Sequence, residues 1–120
     1  MDTRAVVEHH LEALEASDLE ATLADYSEDS VLITPGSVAK GLAGLRGVFG
    51  QAIETMFKPG AFEFTLDSLD VDGEHALITW HMSFEGGEVT FGTDTFHVRD
   101  GKIVGHTGAV QIELPSSQSA

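Results

Sequence analysis

The chain has 120 residues, 42% hydrophobic and 22% charged, which is the size and balance of one folded soluble domain with a real core. Six basic residues against twenty acidic ones leave a net charge of −14. That is the wrong sign for nucleic acid or an anionic membrane surface, both of which need clustered Lys and Arg, and the absence of cysteine excludes disulfides, thiol catalysis and cysteine-ligated metals.

The N-terminal "MDTRAVVEHHLEALEASD" lacks the apolar centre of a signal peptide, and no run approaches membrane-spanning length, so a cytoplasmic protein is expected. Residues 3 to 16 carry Val6, Val7, His10, Leu11 and Leu14 at helical spacing. "SDLE" at 17 to 20 is a capping-box signature and predicts a second helix to about Tyr26. "SVLIT" is a short strand that Pro35-Gly36 ends. A third helix is expected from about Leu42 to Phe57, with Leu45, Val48, Phe49, Ile53 and Phe57 on one stripe. From Ala61 the period becomes two. "FEFTLDSLDV", "HALITWHMSF", "EVTFGTDTFHV" and "KIVGHTGAVQI" read as four strands joined by "DGE", "EGGE" and "RDG" turns. The order α-α-β-α-β-β-β-β predicts a single α+β domain over residues 1–120: one curved antiparallel sheet with helices on its concave face and a flexible tail from 113.

One residue breaks the pattern. In "FGTDTFHVRDGKIVGHTG", Asp94 has the parity of Phe96 and Val98, the apolar set, because strand side chains alternate. A carboxylate facing a core is costly without partners. Which residue stands opposite depends on the turn. A two-residue Asp100-Gly101 turn puts Asp94 opposite Thr107; a three-residue Arg99-Asp100-Gly101 loop puts it opposite His106. The set Val104, His106, Gly108, Val110 and Ile112 is the more apolar one, which favours the longer loop and an inward His106. By the same reasoning Ile78, Trp80, Met82 and Phe84 face in and His81 faces out.

The element order, with "LEALEASDLEATLADYSEDSVLITPG" and "TDTFHVRDGKIVGHT", resembles the nuclear-transport-factor-2-like superfamily over roughly residues 4 to 112. Within it the chain looks most like the SnoaL-like and ketosteroid-isomerase-like groups. The resemblance implies a cone-shaped antiparallel or mixed sheet, a cystatin-like α+β roll, whose open end is a mostly apolar pocket. It fixes no activity, since members include isomerases, cyclases, epoxide hydrolases and dehydratases. Ketosteroid isomerases carry an Asp base at the end of the first strand, before a Pro; here that position is Thr34, whose hydroxyl is no base near neutral pH. Their Tyr oxyanion donor on the first helix matches His10. Their second donor, a protonated Asp, matches Asp94. The epoxide hydrolases' arginine and paired aspartates are not evident.

Asp94, His106 and His10 are therefore the candidate catalytic residues, with Tyr26, Thr34, Phe49, Ile78, Trp80, Met82, Phe96 and Val110 as candidate pocket lining. Three readings of the Asp–His pair stay open: a general base, a neutral acid donating to a carbonyl or enolate, or two groups that only satisfy one another. His9, His75, His81 and His97 are expected at the surface. His10, His106 and Asp94 could converge on a metal, but no short-spaced ligand motif supports it, and neither metal nor cofactor is expected. Gly41, Gly44 and Gly47 lack the Lys-Ser/Thr of a phosphate loop, and no serine has a hydrolase elbow. Outward Leu77, Phe91, Thr93 and Thr95 suggest a two-fold interface, and the resemblance implies a homodimer through this sheet face. Two functions are weighed: an enzyme of isomerase, cyclase or hydratase/dehydratase type on a small hydrophobic, carbonyl-containing molecule, or a non-catalytic ligand-binding or dimerisation module.

Overall fold

The structure, a computed structural model, describes residues 1–115; most of the expected tail, 116–120, lies outside the described residues. Helix α1 (Thr3–Glu15) starts where the Asp2 carboxylate accepts the Ala5 N–H, and it buries Val6, Val7, His10, Leu11 and Leu14, the stripe its spacing predicts. Ser17 does not open a capping box. It stands at φ 57°, ending α1, and its hydroxyl donates to the Phe57 carbonyl. Asp18 caps α2 (Leu19–Leu23), which is a single turn rather than a helix to Tyr26. The chain straightens there because the far strand claims it: Ile103 N–H bonds the Asp25 carbonyl and the Lys102 ammonium bonds the Ala24 carbonyl.

Strand β1 (Tyr26–Thr34) then turns at Pro35-Gly36 into a short β2 (Ser37–Lys40), which the sequence pattern did not separate from a loop. Helix α3 (Gly41–Thr55) buries Leu45 and Phe49. Its first residues have no side-chain cap from Lys40; Glu28 on β1 accepts the Leu42 N–H instead. Four long strands follow: β3 (Phe62–Asp72), β4 (His75–Phe84), β5 (Gly87–Arg99) and β6 (Lys102–Glu113).

The six strands form one curved, unclosed sheet in the order β2-β1-β6-β5-β4-β3. All neighbours run antiparallel except β1 and β6, so the sheet is mixed. Bulges near Ser68, Thr90 and Val104 bend it. The three helices lie on the concave face, and the apolar residues of all of them join Tyr26, Leu32, Ile78, Met82, Val89, Phe96 and Ile103 in one buried cluster. This is the α+β cone the sequence predicts. Among the described residues no helix is long and apolar enough to cross a membrane.

The last hairpin corrects one expectation. Arg99 pairs with Lys102, so Asp100-Gly101 is a two-residue turn, with both residues at positive φ (53° and 77°) as a type I′ turn requires. A bulge then inserts Val104, which puts Gly105 opposite His97 and His106 opposite Phe96. Asp94 faces Gly108, not His106. The inserted residue restores the parity that the shorter turn would have reversed. Ile103 and His106 point into the core, and Val104 is only half-buried.

Candidate functional site

Two rows of cross-strand neighbours run over the middle of the concave face. One is Leu69, Ile78, Asp94, Gly108; the next is Leu66, Trp80, Gly92, Val110. In each row a glycine lies beside a large polar or amphipathic side chain. A Cβ on Gly92 would collide with the Trp80 indole, and one on Gly108 with Asp94 Oδ1. Both side chains therefore lie down over the neighbouring strand.

Their tilt brings them together. Trp80 Nε1–H donates to Asp94 Oδ2 at 3.0 Å. Asp94 Oδ1 lies 3.4 Å from His106 Nε2, within charge attraction but longer than a good hydrogen bond. On the far side of the imidazole, His106 Nδ1 and the Tyr26 hydroxyl are 2.8 Å apart. Burial, with the nearby charges of Asp94 and Asp25, pushes the Tyr26 hydroxyl well above its ordinary value, so it keeps its proton. With its proton kept, the Tyr26 O–H can donate to Nδ1, and Nε2 then faces Asp94 Oδ1 across a gap too long for a good hydrogen bond. Tyr26, His106, Asp94 and Trp80 thus form a polar row through an apolar core, hydrogen-bonded at both ends and with a gap between His106 and Asp94.

His10 closes the inner end. Its ring meets those of Tyr26, Phe49, Phe96 and His106 edge-on, with centroids 5.5 to 5.7 Å away. Burial, then the neighbouring His106 and His9, hold its imidazole well below the ordinary histidine range, so it is neutral at pH 7. His10 Nδ1 and His106 Nε2 are buried and lack a hydrogen-bond partner. His9, one residue away, points outward and bonds the buried Asp25 carboxylate at 2.7 Å, which raises its pKa.

The structure thus brings Asp94, His106, His10 and Tyr26 into one nest, with the rings of Phe49 and Phe96 around it. Ile78, Trp80, Met82 and Phe96 are all buried, packed into the core cluster. Thr34 and Val110 lie apart from these. With Pro35, Asp94, Gly108 and Ala109 they line an open recess of about 370 Å³, and Val110 is 45% exposed there. Asp94 joins the two zones, with a side chain 20% exposed. The residues missed from the sequence are Gly92 and Gly108. Each lies two positions from a candidate, in "GTD" and "HTG", and so shares its face; that spacing was the available signal. A second hollow, about 550 Å³, opens on the opposite face over Ile33, Leu77, Thr95, His97 and Thr107. Among the described residues no three His, Asp or Glu side chains are arranged to hold a metal ion.

The SnoaL-like domain profile matches residues 7–106, and the chain belongs to that family. Comparison with curated proteins gives no match. Among solved structures, the chain is similar to a candidate ketosteroid isomerase from Kribbella flavida, with 20% identity, TM-score 0.77, and coverage of 94% of this chain and 80% of that one. It is similar to an M. tuberculosis LEH-like epoxide hydrolase, with 21% identity, TM-score 0.70, and coverage of 89% and 80%. It is as similar to a de novo designed protein with a curved β-sheet, with 19% identity, TM-score 0.77, and coverage of 98% and 88%. At these identities the likeness concerns the fold.

Proposed function

We propose that the protein binds a small hydrophobic, carbonyl-containing molecule at the mouth of the cone, and that Asp94 with His106 moves a proton on it, in an isomerase, cyclase or hydratase/dehydratase type of reaction. The observation that carries this reading is the placement of Asp94: one oxygen held by Trp80, the other beside His106, and the whole group bordering the Thr34–Val110 recess. A carboxylate beside an imidazole in low dielectric is a workable base, and Tyr26 steadies the imidazole from behind. Thr34, standing where ketosteroid isomerases keep their base, leaves Asp94 as the acid available to the recess. His10, neutral and buried at the inner end, packs behind His106 and supports its ring rather than reaching the recess. Neither a metal nor a cofactor has a part in this scheme.

A second reading has its own observation. The inner end of the cone is filled by Tyr26, Phe49, Ile78, Met82 and Phe96, while the larger hollow lies on the bare outer face. That favours a non-catalytic binding or dimerisation module. The outer row Asp70, Leu77, Thr95, Thr107, Ile33, Val38 runs from an acid to apolar residues, and the next ends at Lys40. Turned on itself by a two-fold axis, such a face can bring the Asp70 end of one copy toward the Lys40 end of the other, a self-complementary arrangement.

Thermal shift and ligand-detected NMR with steroids, enones and aromatic polyketides test both. In the enzymatic reading Asp94→Asn still binds a hit but turns it over about 10²- to 10⁴-fold more slowly. Binding without turnover by the wild type, across the panel, would leave the module reading standing.

A further inference from the structure

Gly92 and Gly108 sit in the interiors of β5 and β6, where glycine weakens a strand. The usual reason for glycine is absent, since neither is among the residues at positive φ. Gly105, also in β6, is a useful contrast: a Cβ there meets the His97 Cβ at 3.4 Å, an ordinary contact. At 92 and 108 an added Cβ collides, and in both cases with a side chain of the site. Space, not backbone freedom, is what these two positions supply.

We propose that Gly92 and Gly108 are positioning residues for Asp94. By leaving out a side chain they let the Trp80 indole and the Asp94 carboxylate recline across neighbouring strands as one hydrogen-bonded unit, with Oδ1 over Gly108 and beside His106. This rests on the reading of Asp94 as the acid of the site and adds how its direction is set. A methyl group at 108 pushes Oδ1 away from its seat and pulls the carboxylate from the indole.

The chain has one tryptophan, so its single indole N–H resonance reports the unit directly. The test compares that resonance and the Tm in wild type, Asp94→Ala, Gly108→Ala, the double variant and Gly47→Ala, whose added methyl meets nothing. Asp94→Ala moves the resonance upfield through loss of the acceptor. Gly108→Ala moves it the same way and lowers Tm by several degrees; Gly47→Ala leaves the resonance in place. In the Asp94→Ala background, Gly108→Ala has no further effect on either reading. The proposal is overturned by a folded Gly108→Ala protein with the wild-type indole resonance, or by an equal loss of Tm in both backgrounds. Should Gly108→Ala alone not fold, a folded double variant supports the proposal and an unfolded one overturns it. None of these readings uses a ligand, so a protein that passes them and turns over no carbonyl compound retires the enzymatic reading while the positioning of Asp94 stands.

Discussion

His10 and His106 lie on the helix-covered side of the sheet, and His75, His81 and His97 on the bare side. The outer three have cheap company. His81 pairs with Asp67 at 2.8 Å, His97 with Glu74 at 2.9 Å, and His75 stacks on His97 with centroids 4.8 Å apart. Water finishes what those partners leave undone, so each arrangement matters little to stability. The inner two are 2% and 6% exposed, each with a ring nitrogen lacking a hydrogen bond. There an unmade bond keeps its full desolvation cost. The two regions teach that the same imidazole is a solvated ornament on one face and a constrained polar group on the other. The two constrained imidazoles meet each other edge-on, and one of them, His106, lies beside Asp94.

Four changes break or sharpen that contrast. The largest effect is expected from His106→Ala, which opens a cavity and strips the Tyr26 hydroxyl of its buried partner. The loss should be about 2–4 kcal/mol by urea denaturation. A loss within the range of a surface change would mean that the inner region is no different from the outer one. Next comes pH. His10 is held below the ordinary histidine range, so the unfolded chain binds more protons than the folded one as pH falls below about 6.5. Stability should therefore drop on acidification through that window, and His10→Phe should flatten the slope whatever its packing costs at pH 7. An unchanged slope in the variant would assign the acid sensitivity elsewhere.

The smallest effects come from outside. His9 is raised by Asp25, so its contribution is complete below about pH 6.5 and fades as pH rises through its folded value, opposite in sign to His10. With His9 43% exposed, His9→Ala should cost about 1 kcal/mol at pH 6 and less at pH 9, where only the neutral hydrogen bond to the buried Asp25 is lost. His81→Ala, on the bare face, should stay within about 0.5 kcal/mol at any pH. A larger penalty there would point to an outer face covered by a second copy of the chain, a possibility that sedimentation of the same samples would decide.

Residue periodicity by itself determined a good deal of this protein. The stripe Val6, Val7, His10, Leu11, Leu14 and the alternation around Trp80 and Met82 specified helices, strands and inward faces, because those periods are local properties of the backbone. Asp94 was legible as an interior acid for the same reason. Other features needed the tertiary structure. The second helix stops short because β6 holds Ala24 and Asp25, residues nearly eighty positions away in sequence. His106 faces inward through a bulge at Val104 that no local signal marked, and it pairs across the sheet with Phe96. Whether the cone was hollow or filled depended on how α1 and α3 pressed Leu11, Leu45 and Phe49 onto the sheet. Close packing is a sum over neighbours distant in the chain, and a period counted along the sequence carries no record of it.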